Sequence, residues 1–468
     1  MTGLDVAIVG SGPSGFYAAE ALLKSDVELR VHMFDRLPTP FGLVRSGVAP
    51  DHQHIKKVVR VFEGIAKNSK FSFFGNVEIG KDISLDVLRS RHDAVILAYG
   101  ASEGARLTIP GSELEQSLTA TEFIGWYNGH PDYVSLKPCL DHETAVIIGH
   151  GNVAIDVARI LLSDPERLAK TDIADHALES LRESKIRRVH MVGRRGPAQA
   201  SFTTAELREL TIGIPGIQAK IDPKALELLP EDAAEIERPA NVVTKRNFLV
   251  LNEASRRPQH EHNGRELRLT FLASPLAFRG GGSVCAIDFT HNELIGPTGG
   301  RAARPTGQTF SIETGLVISS VGFRGRAISS VPFDRDRGLI PNDAGRVTAG
   351  VSGDSTPLYV AGWIKRGASG VIGTNRACAL ETVNTLLADY RAGRFPARSG
   401  ATRDLVVPAK RVDLAGWDRI DNEERRAGTA SGRPRIKIVN IDEMVEVASG
   451  QLRTQIADAP TVKAIGLS

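Results

Sequence analysis

The sequence predicts an α/β protein built from two doubly wound units, one inserted in the other. Three observations predict it. Two glycine-rich turns, at 10–15 and 149–154, each follow a short apolar run and open a helical stretch. Two later apolar runs, 94–98 and 316–320, end beside Gly100 and Gly322, where the chain crosses from one unit into the other and back. At roughly 150 residues per domain, a chain of 468 residues calls for two or three domains rather than one core.

Composition narrows the class. Hydrophobic content of 41% and charged content of 24% are those of a soluble globular protein. A net charge of +3 lacks the concentrated basic face that nucleic acid requires, although a local basic patch for an acidic partner stays open. Cys139, Cys285 and Cys378 are far apart, which argues against a disulfide framework, a metal site or an iron–sulfur cluster and fits a reducing compartment. No apolar run approaches the ~20 residues that span a bilayer. The first strand starts at about Leu4, so a cytoplasmic location is the expectation.

Taken in order, residues 4–9 form a strand. Gly10, Gly12 and Gly15 then supply a tight turn, close approach of backbone to a pyrophosphate, and close helix–strand contact. Pro13 and Ser14 lead into a helix over 16–23, whose first N–H groups face phosphates. A second strand, 28–34, ends at Asp35, placed where an acid bonds a ribose hydroxyl. Residues 37–52 hold three prolines and two glycines, a rigid irregular path. His52 precedes a helix over 55–66. It either poises a proton near a reactive ring or merely neighbours Asp51 as helix N-cap, and the residues alone favour the second reading. Residues 71–74 and 77–79 read as short strands, and 94–98 as a buried parallel one.

The second unit starts near Glu103. Residues 145–148 lead into Gly149-His150-Gly151-Asn152-Val153-Ala154 and a helix over 155–162. Asp156 and Arg159, one turn apart, read as a surface ion pair. The strand at 189–192 ends at Arg194 and Arg195 where a NAD-selecting acid would stand, and two guanidinium forks suit the 2′-phosphate of NADP. Residues 201–210 read as a capped helix start carrying Glu206 and Glu209. Strands at 267–272, 286–291 and 310–312 follow, with Lys245, Arg246, Arg256 and Arg257 as surface charge by default. A strand at 358–361 runs into the glycine-rich segment 362–373, where Trp363 is expected to stack on a ring, and then a helix over 375–390. Helices over 417–427 and 441–449 flank a basic loop at 431–437.

Together, the segments Val9-Gly-Ser-Gly-Pro-Ser14, Pro38-Thr-Pro-Phe-Gly-Leu-Val-Arg-Ser-Gly-Val-Ala-Pro-Asp-His52, Phe73-Phe-Gly-Asn-Val77, Gly149 to Ala154, Val192-Gly-Arg-Arg-Gly-Pro197, Gly362-Trp-Ile-Lys-Arg-Gly367 and Gly370-Val-Ile-Gly-Thr-Asn375 resemble one family. It is the adrenodoxin-reductase-like ferredoxin–NADP⁺ reductases of mitochondria and bacteria, and the bacterial members are the nearer match. The resemblance spans almost the whole chain. It implies two Rossmann-like dinucleotide-binding domains of the glutathione-reductase-like FAD/NAD(P) fold. The FAD domain (1–103 and 323–468, with a C-terminal helical extension) would be split around an NADP domain at 104–322.

The resemblance further implies that Ser14, Asp35, Leu43, Trp363, Gly370, Val371 and Ile372 join the first glycine turn in contacting FAD. It implies that Asn152, Val153, Arg194, Arg195 and Glu206 join Gly149 and Gly151 in contacting NADP(H), with Gly370 near the nicotinamide. His52, Asp156 and Glu209 match residues that handle protons or position the nicotinamide. This reverses the reading of His52 and leaves Asp156 and Glu209 open. His150 departs from the family's usual Gln. The activity implied is hydride transfer from NADPH to FAD, then single electrons to a ferredoxin-type iron–sulfur protein held transiently by charge, without a metal, nucleic acid or membrane. Lys245, Arg246, Arg256 and Arg257 are candidates for that docking. A disulfide reductase would need a close cysteine pair, which the chain lacks. A flavin oxidase or monooxygenase that gives its electrons to oxygen stays open, as does a non-catalytic dinucleotide sensor.

Overall fold

Strands covered on both faces read as unbroken apolar runs, and Leu4–Val9, Ala94–Leu97 and Thr144–Ile148 are buried along their whole length. The computed structural model describes residues 3–258, 264–348, 356–396 and 406–451. These runs sit at the centres of two sheets, each with its own apolar core.

The first sheet has seven strands, in the order Asn342–Asp343, Arg346–Val347, Leu358–Val360, Ala94–Leu97, Leu4–Val9, Leu29–Phe34 and Phe71–Phe74. The last five are parallel, and an antiparallel hairpin forms one edge. The second sheet has six parallel strands, in the order Ser117–Thr119, Leu316–Ser319, Thr144–Ile148, Arg188–Val192, Arg265–Thr270 and Ile217–Ile221. In both, strand order reverses beside the strand that feeds a glycine turn, the crevice where open α/β sheets bind ligands. The chain passes between the sheets twice, and the two crossings pair as an antiparallel ribbon, Glu103–Gly104 against Phe323–Arg324.

Several elements differ from the sequence reading. Residues 77–79 form no strand, only a bridge between Ile79 and Ile83. The helix expected over 55–66 is two, Gln53–Lys56 and Val59–Ala66. Residues 286–291 and 310–312 are parts of longer strands, Ala286–Ile295 and Ala302–Glu313, in a separate antiparallel sheet of three. Within segment 37–52, Phe41 packs among Phe16, Phe62 and Trp417, which docks that irregular path on the core. The C-terminal helices Leu414–Ala430 and Ile441–Ser449 enter the same core through Trp417, Ile420, Met444 and Ala448.

Candidate active site between the two sheets

The two glycine turns are built alike. A Cβ on Gly10 (φ +106°) would lie 2.6 Å from the Tyr99 Cα, and one on Gly149 (φ +134°) would lie 2.3 Å from the Ser320 carbonyl oxygen. Each glycine therefore lets its turn close on the exit of the neighbouring strand. A Cβ on Gly15 would lie 2.1 Å from the Gly10 oxygen, whereas one on Gly12 would meet no atom within 4 Å. Helices Pro13–Leu23 and Asn152–Leu162 start from Gly12 and Gly151, and no side chain caps either start. Their first N–H groups and positive dipole ends suit a pyrophosphate at each turn. The residues present fit two dinucleotides.

A half-buried cluster of His52, Asp156, Glu206 and Glu209 is drawn from both units, with only His52 among them fully buried. His52 Nε2 is 3.3 Å from Glu209 Oε2 and 3.6 Å from Glu206 Oε2, and its Nδ1 is 3.8 Å from Asp156 Oδ1. Glu206 lies in the short helix Thr204–Arg208, which continues into a π-helical turn, Glu209–Gly213, a distortion frequent at functional sites. Arg159 is fully buried (0% exposed) and grips Asp51 with two hydrogen bonds, 2.7 and 3.1 Å. It also donates to Asp156 at 2.7 Å and Glu206 at 3.4 Å. The surface ion pair expected of Asp156 and Arg159 is thus a buried one, because the 37–52 path covers it. Asp51 caps no helix; its carboxylate is spent on Arg159, and Gln53–Lys56 starts at His52 without a side-chain cap.

The carboxyls and the imidazole perturb one another. Burial raises Asp156 above the usual carboxylate range, more than Arg159 lowers it. Glu206 is also raised, by burial and then by the charge of Asp156. Glu209 is lowered by its hydrogen bond to His52. For His52, burial acts downward, yet Glu209, Asp156 and Glu206 outweigh burial and Arg159 together and leave it raised.

The remaining expected site residues fall around this centre. Asp35 braces the first turn, accepting from Ser11 N at 2.9 Å, Ser11 Oγ at 2.5 Å and Leu37 N at 3.0 Å. Ser14 is buried, and its hydroxyl donates to Asn375 Oδ1 at 3.1 Å, tying the first glycine helix to Thr374–Arg391. Trp363 packs against Phe323 (ring centroids 5.3 Å apart) and donates to the Ser369 carbonyl at 3.2 Å. Leu43, Gly370 and Val371 are exposed, and Ile372 is half-buried. Asn152 Oδ1 accepts from Thr203 N at 2.7 Å, and Val153 packs on the core. Arg194 and Arg195 are exposed at the end of strand Arg188–Val192, and no carboxylate among the described residues pairs with either. The His150 ring packs on Phe271 and its Nε2 donates to the Met191 carbonyl at 3.1 Å. Burial pushes it down to about 4, so it is a neutral prop under the strand end.

Known proteins share this architecture. Residues 4–207 match the family described as pyridine nucleotide-disulphide oxidoreductase. The NADPH-ferredoxin reductase FprA of Mycobacterium tuberculosis is 45% identical over 463 residues, covering 95% of this chain and 99% of its own. The mitochondrial NADPH:adrenodoxin oxidoreductase of Arabidopsis thaliana is 41% identical over 465 residues, covering 95% of each chain. The solved structure of M. tuberculosis FprA in complex with NADPH superposes with a TM-score of 0.88 at 44% identity, covering 96% of this chain and all of that one. The chain belongs to the NADPH–ferredoxin reductase family.

Membership bears out the resemblance and the two-unit fold class, and makes the protein an oxidoreductase. No helix among the described residues of this reductase is long and apolar enough to cross a membrane. Its three cysteines are free, and Cys378, the buried one, accepts a hydrogen bond from Gly362 N at 3.3 Å. Asp51 and Arg159 are the residues at the His52 cluster to which sequence reasoning gave other roles, a helix N-cap and a surface ion pair. Separated by 108 positions, they carried no local signal of their pairing.

Proposed function

We propose that this reductase takes electrons from NADPH through FAD to a ferredoxin-type iron–sulfur protein. The observation that carries the reading is two uncapped glycine-turn helix starts in one chain together with one cluster shared by both units, His52, Asp156, Glu206 and Glu209. FAD, when bound, supplies the conversion of a two-electron hydride into single electrons. The protein's part is binding, orientation and electrostatics.

Gly10, Gly12, Pro13, Ser14 and Gly15 hold the FAD pyrophosphate at the first helix start, with Asp35 at the ribose. Leu43, Trp363, Gly370, Val371 and Ile372 form the rest of the FAD site. Gly149, Gly151, Asn152 and Val153 hold the NADP pyrophosphate in the domain at 104–322. Arg194 and Arg195, with no carboxylate partner among the described residues, take the 2′-phosphate, Glu206 also contacts the NADP, and Gly370 lies near the nicotinamide. His52, Asp156 and Glu209 hold the proton inventory beside the reacting rings. The iron–sulfur partner is acidic and binds transiently by charge, steered by exposed basic residues such as Lys245, Arg246, Arg256 and Arg257. Lys245 is the weakest of these, since Glu237 pairs with it at 2.7 Å. A reducing, cytoplasmic setting suits the free cysteines.

The test is anaerobic mixing of the flavin-loaded protein with NADPH, followed by an acidic ferredoxin. Rapid bleaching of the flavin and catalytic ferredoxin reduction are expected. Bleaching without reduction of any iron–sulfur protein, with electrons going only to oxygen, overturns the reading in favour of an oxidase.

A further inference from the structure

We infer that Arg159 is a positioning residue that sets the tautomer of His52, and so decides which ring nitrogen carries its exchangeable proton. The inference rests on the reading of His52 as part of the reacting centre.

Arg159 lies two turns along helix Asn152–Leu162, fully buried, with its guanidinium against the 37–52 path of the other unit. Its donors meet carboxylates on three sides. Nε and Nη2 bond Asp51, Nη2 bonds Asp156, and Nη1 reaches Glu206. The fourth side brings Nη2 to 3.5 Å from His52 Nδ1. Both Nη2 hydrogens already go to Asp51 and Asp156, so Nη2 presents Nδ1 with positive charge rather than a third hydrogen bond; having no lone pair to accept, it disfavours a hydrogen on Nδ1. In the neutral ring, Nδ1 is then the lone-pair nitrogen and Nε2 carries the hydrogen. The other edge of the ring agrees. Nε2 faces acceptors, Glu209 at 3.3 Å and Glu206 at 3.6 Å.

The rival arrangement puts the hydrogen on Nδ1, toward Asp156. That oxygen is 3.8 Å away, beyond hydrogen-bond reach, and already accepts from Arg159 at 2.7 Å. Protonating the ring would add a hydrogen at Nδ1, directly against Arg159. Arg159 therefore opposes the imidazolium, whereas Glu209, Asp156, Glu206 and Asp51 favour it. Three further charged or titratable neighbours flank the group: His54, with its ring 5.7 Å away, Arg167, which reaches the far oxygen of Glu209 at 3.6 Å, and the buried phenol of Tyr127, which feels Asp156, Arg159 and Asp51. A guanidinium held by Asp51 from one unit and by Asp156 from the other fixes this positive charge at the seam between them. It also supplies the positive charge that a metal would otherwise bring to His52, Asp156 and Glu206.

The test is long-range ¹H–¹⁵N correlation of the flavin-loaded protein labelled with ¹⁵N-histidine, with His52 assigned by its loss in His52→Gln. The wild type should show the Nε2–H tautomer above the titration midpoint. A dominant Nδ1–H tautomer overturns the inference without any variant. In Arg159→Met, the Nδ1–H form should grow and the midpoint should rise by about one pH unit or more, as expected when a like charge leaves an imidazolium. Both unchanged, with flavin retained, also overturns it. If the Met variant does not retain flavin, Arg159→Gln is read instead. It removes the positive charge, so growth of the Nδ1–H form or a raised midpoint supports the inference and both unchanged overturns it. The parent reading fails separately, if His52→Gln reduces its flavin with the wild-type pH profile.

Discussion

Lys437 donates two hydrogen bonds to Asn128, one to its backbone carbonyl and one to its side-chain oxygen, each at 3.1 Å. The lysine comes from the basic loop between the C-terminal helices, and Asn128 ends helix Ala120–Asn128 of the inserted unit. Asp172 lies 3.4 Å from Lys437 and bonds Lys56 of the first unit at 2.7 Å. Arg433 adds a bond to the Thr171 carbonyl at 3.0 Å. Through its two buried cations, Arg433 and Lys437, the loop clasps the two units together.

Asp172→Asn should destabilise the protein by about 3–5 kcal/mol, because it strands two buried ammonium groups. Lys437→Met should cost less, since Lys56 still pairs with Asp172. Urea unfolding followed by flavin fluorescence checks the order. Burial acts to raise Asp172, but Lys437 and Lys56 prevail and hold it down to about 2. Its stabilisation is therefore present above the ordinary carboxylate range and lost as pH falls toward that value.

Replacing both Arg194 and Arg195 by Ala should weaken NADPH far more than NADH. If each charged hydrogen bond contributes roughly 1.5–3 kcal/mol, preference for NADPH should drop at least about tenfold. Steady-state kinetics with both nucleotides would expose an error as an unchanged ratio.

Gly12→Ala and Gly10→Ala should fail in different ways. A methyl at Gly12 meets no protein atom, so the fold should persist while FAD affinity falls. A methyl at Gly10 strikes the backbone of Tyr99 and Ala98 at a φ of +106°, so stability itself should fall. Circular dichroism melts beside flavin titrations separate the two.

His52 should hold its proton to higher pH than a free histidine. Burial acts against this, but Glu209 and the neighbouring carboxylates outweigh it. Its stabilising contribution is then fully present below about pH 6.5 and lost as pH rises through the elevated value. Single-turnover flavin reduction should show a step above about pH 6.5 that His52→Ala abolishes. A step of the same midpoint in the variant would assign it to another group.

Changing all three cysteines to Ser should leave reduction of a one-electron acceptor intact. Loss of that activity with flavin retained would return a dithiol to the mechanism.

What was legible in the chain was local. The strand–turn–helix units around Gly10 and Gly149, the crossings that follow 94–98 and 316–320, and the arginines ending strand Arg188–Val192 follow from residue types a few positions apart. Turn geometry, helix starts and side-chain reach act over that range. Burial of charge does not. The Asp156–Arg159 bond is implied by i, i+3 spacing, but its removal from solvent depends on Asp51, 105 and 108 positions away (156 − 51 and 159 − 51). The loop at 431–437 read only as basic, and nothing local showed that Lys437 and Arg433 are buried, because their partners Asn128, Asp172 and Thr171 lie in the other unit. The sequence by itself determined the two dinucleotide units and the choice of nucleotide. Only the tertiary structure decided which charges meet at the seam, because a charge is buried only where distant segments bring its partners.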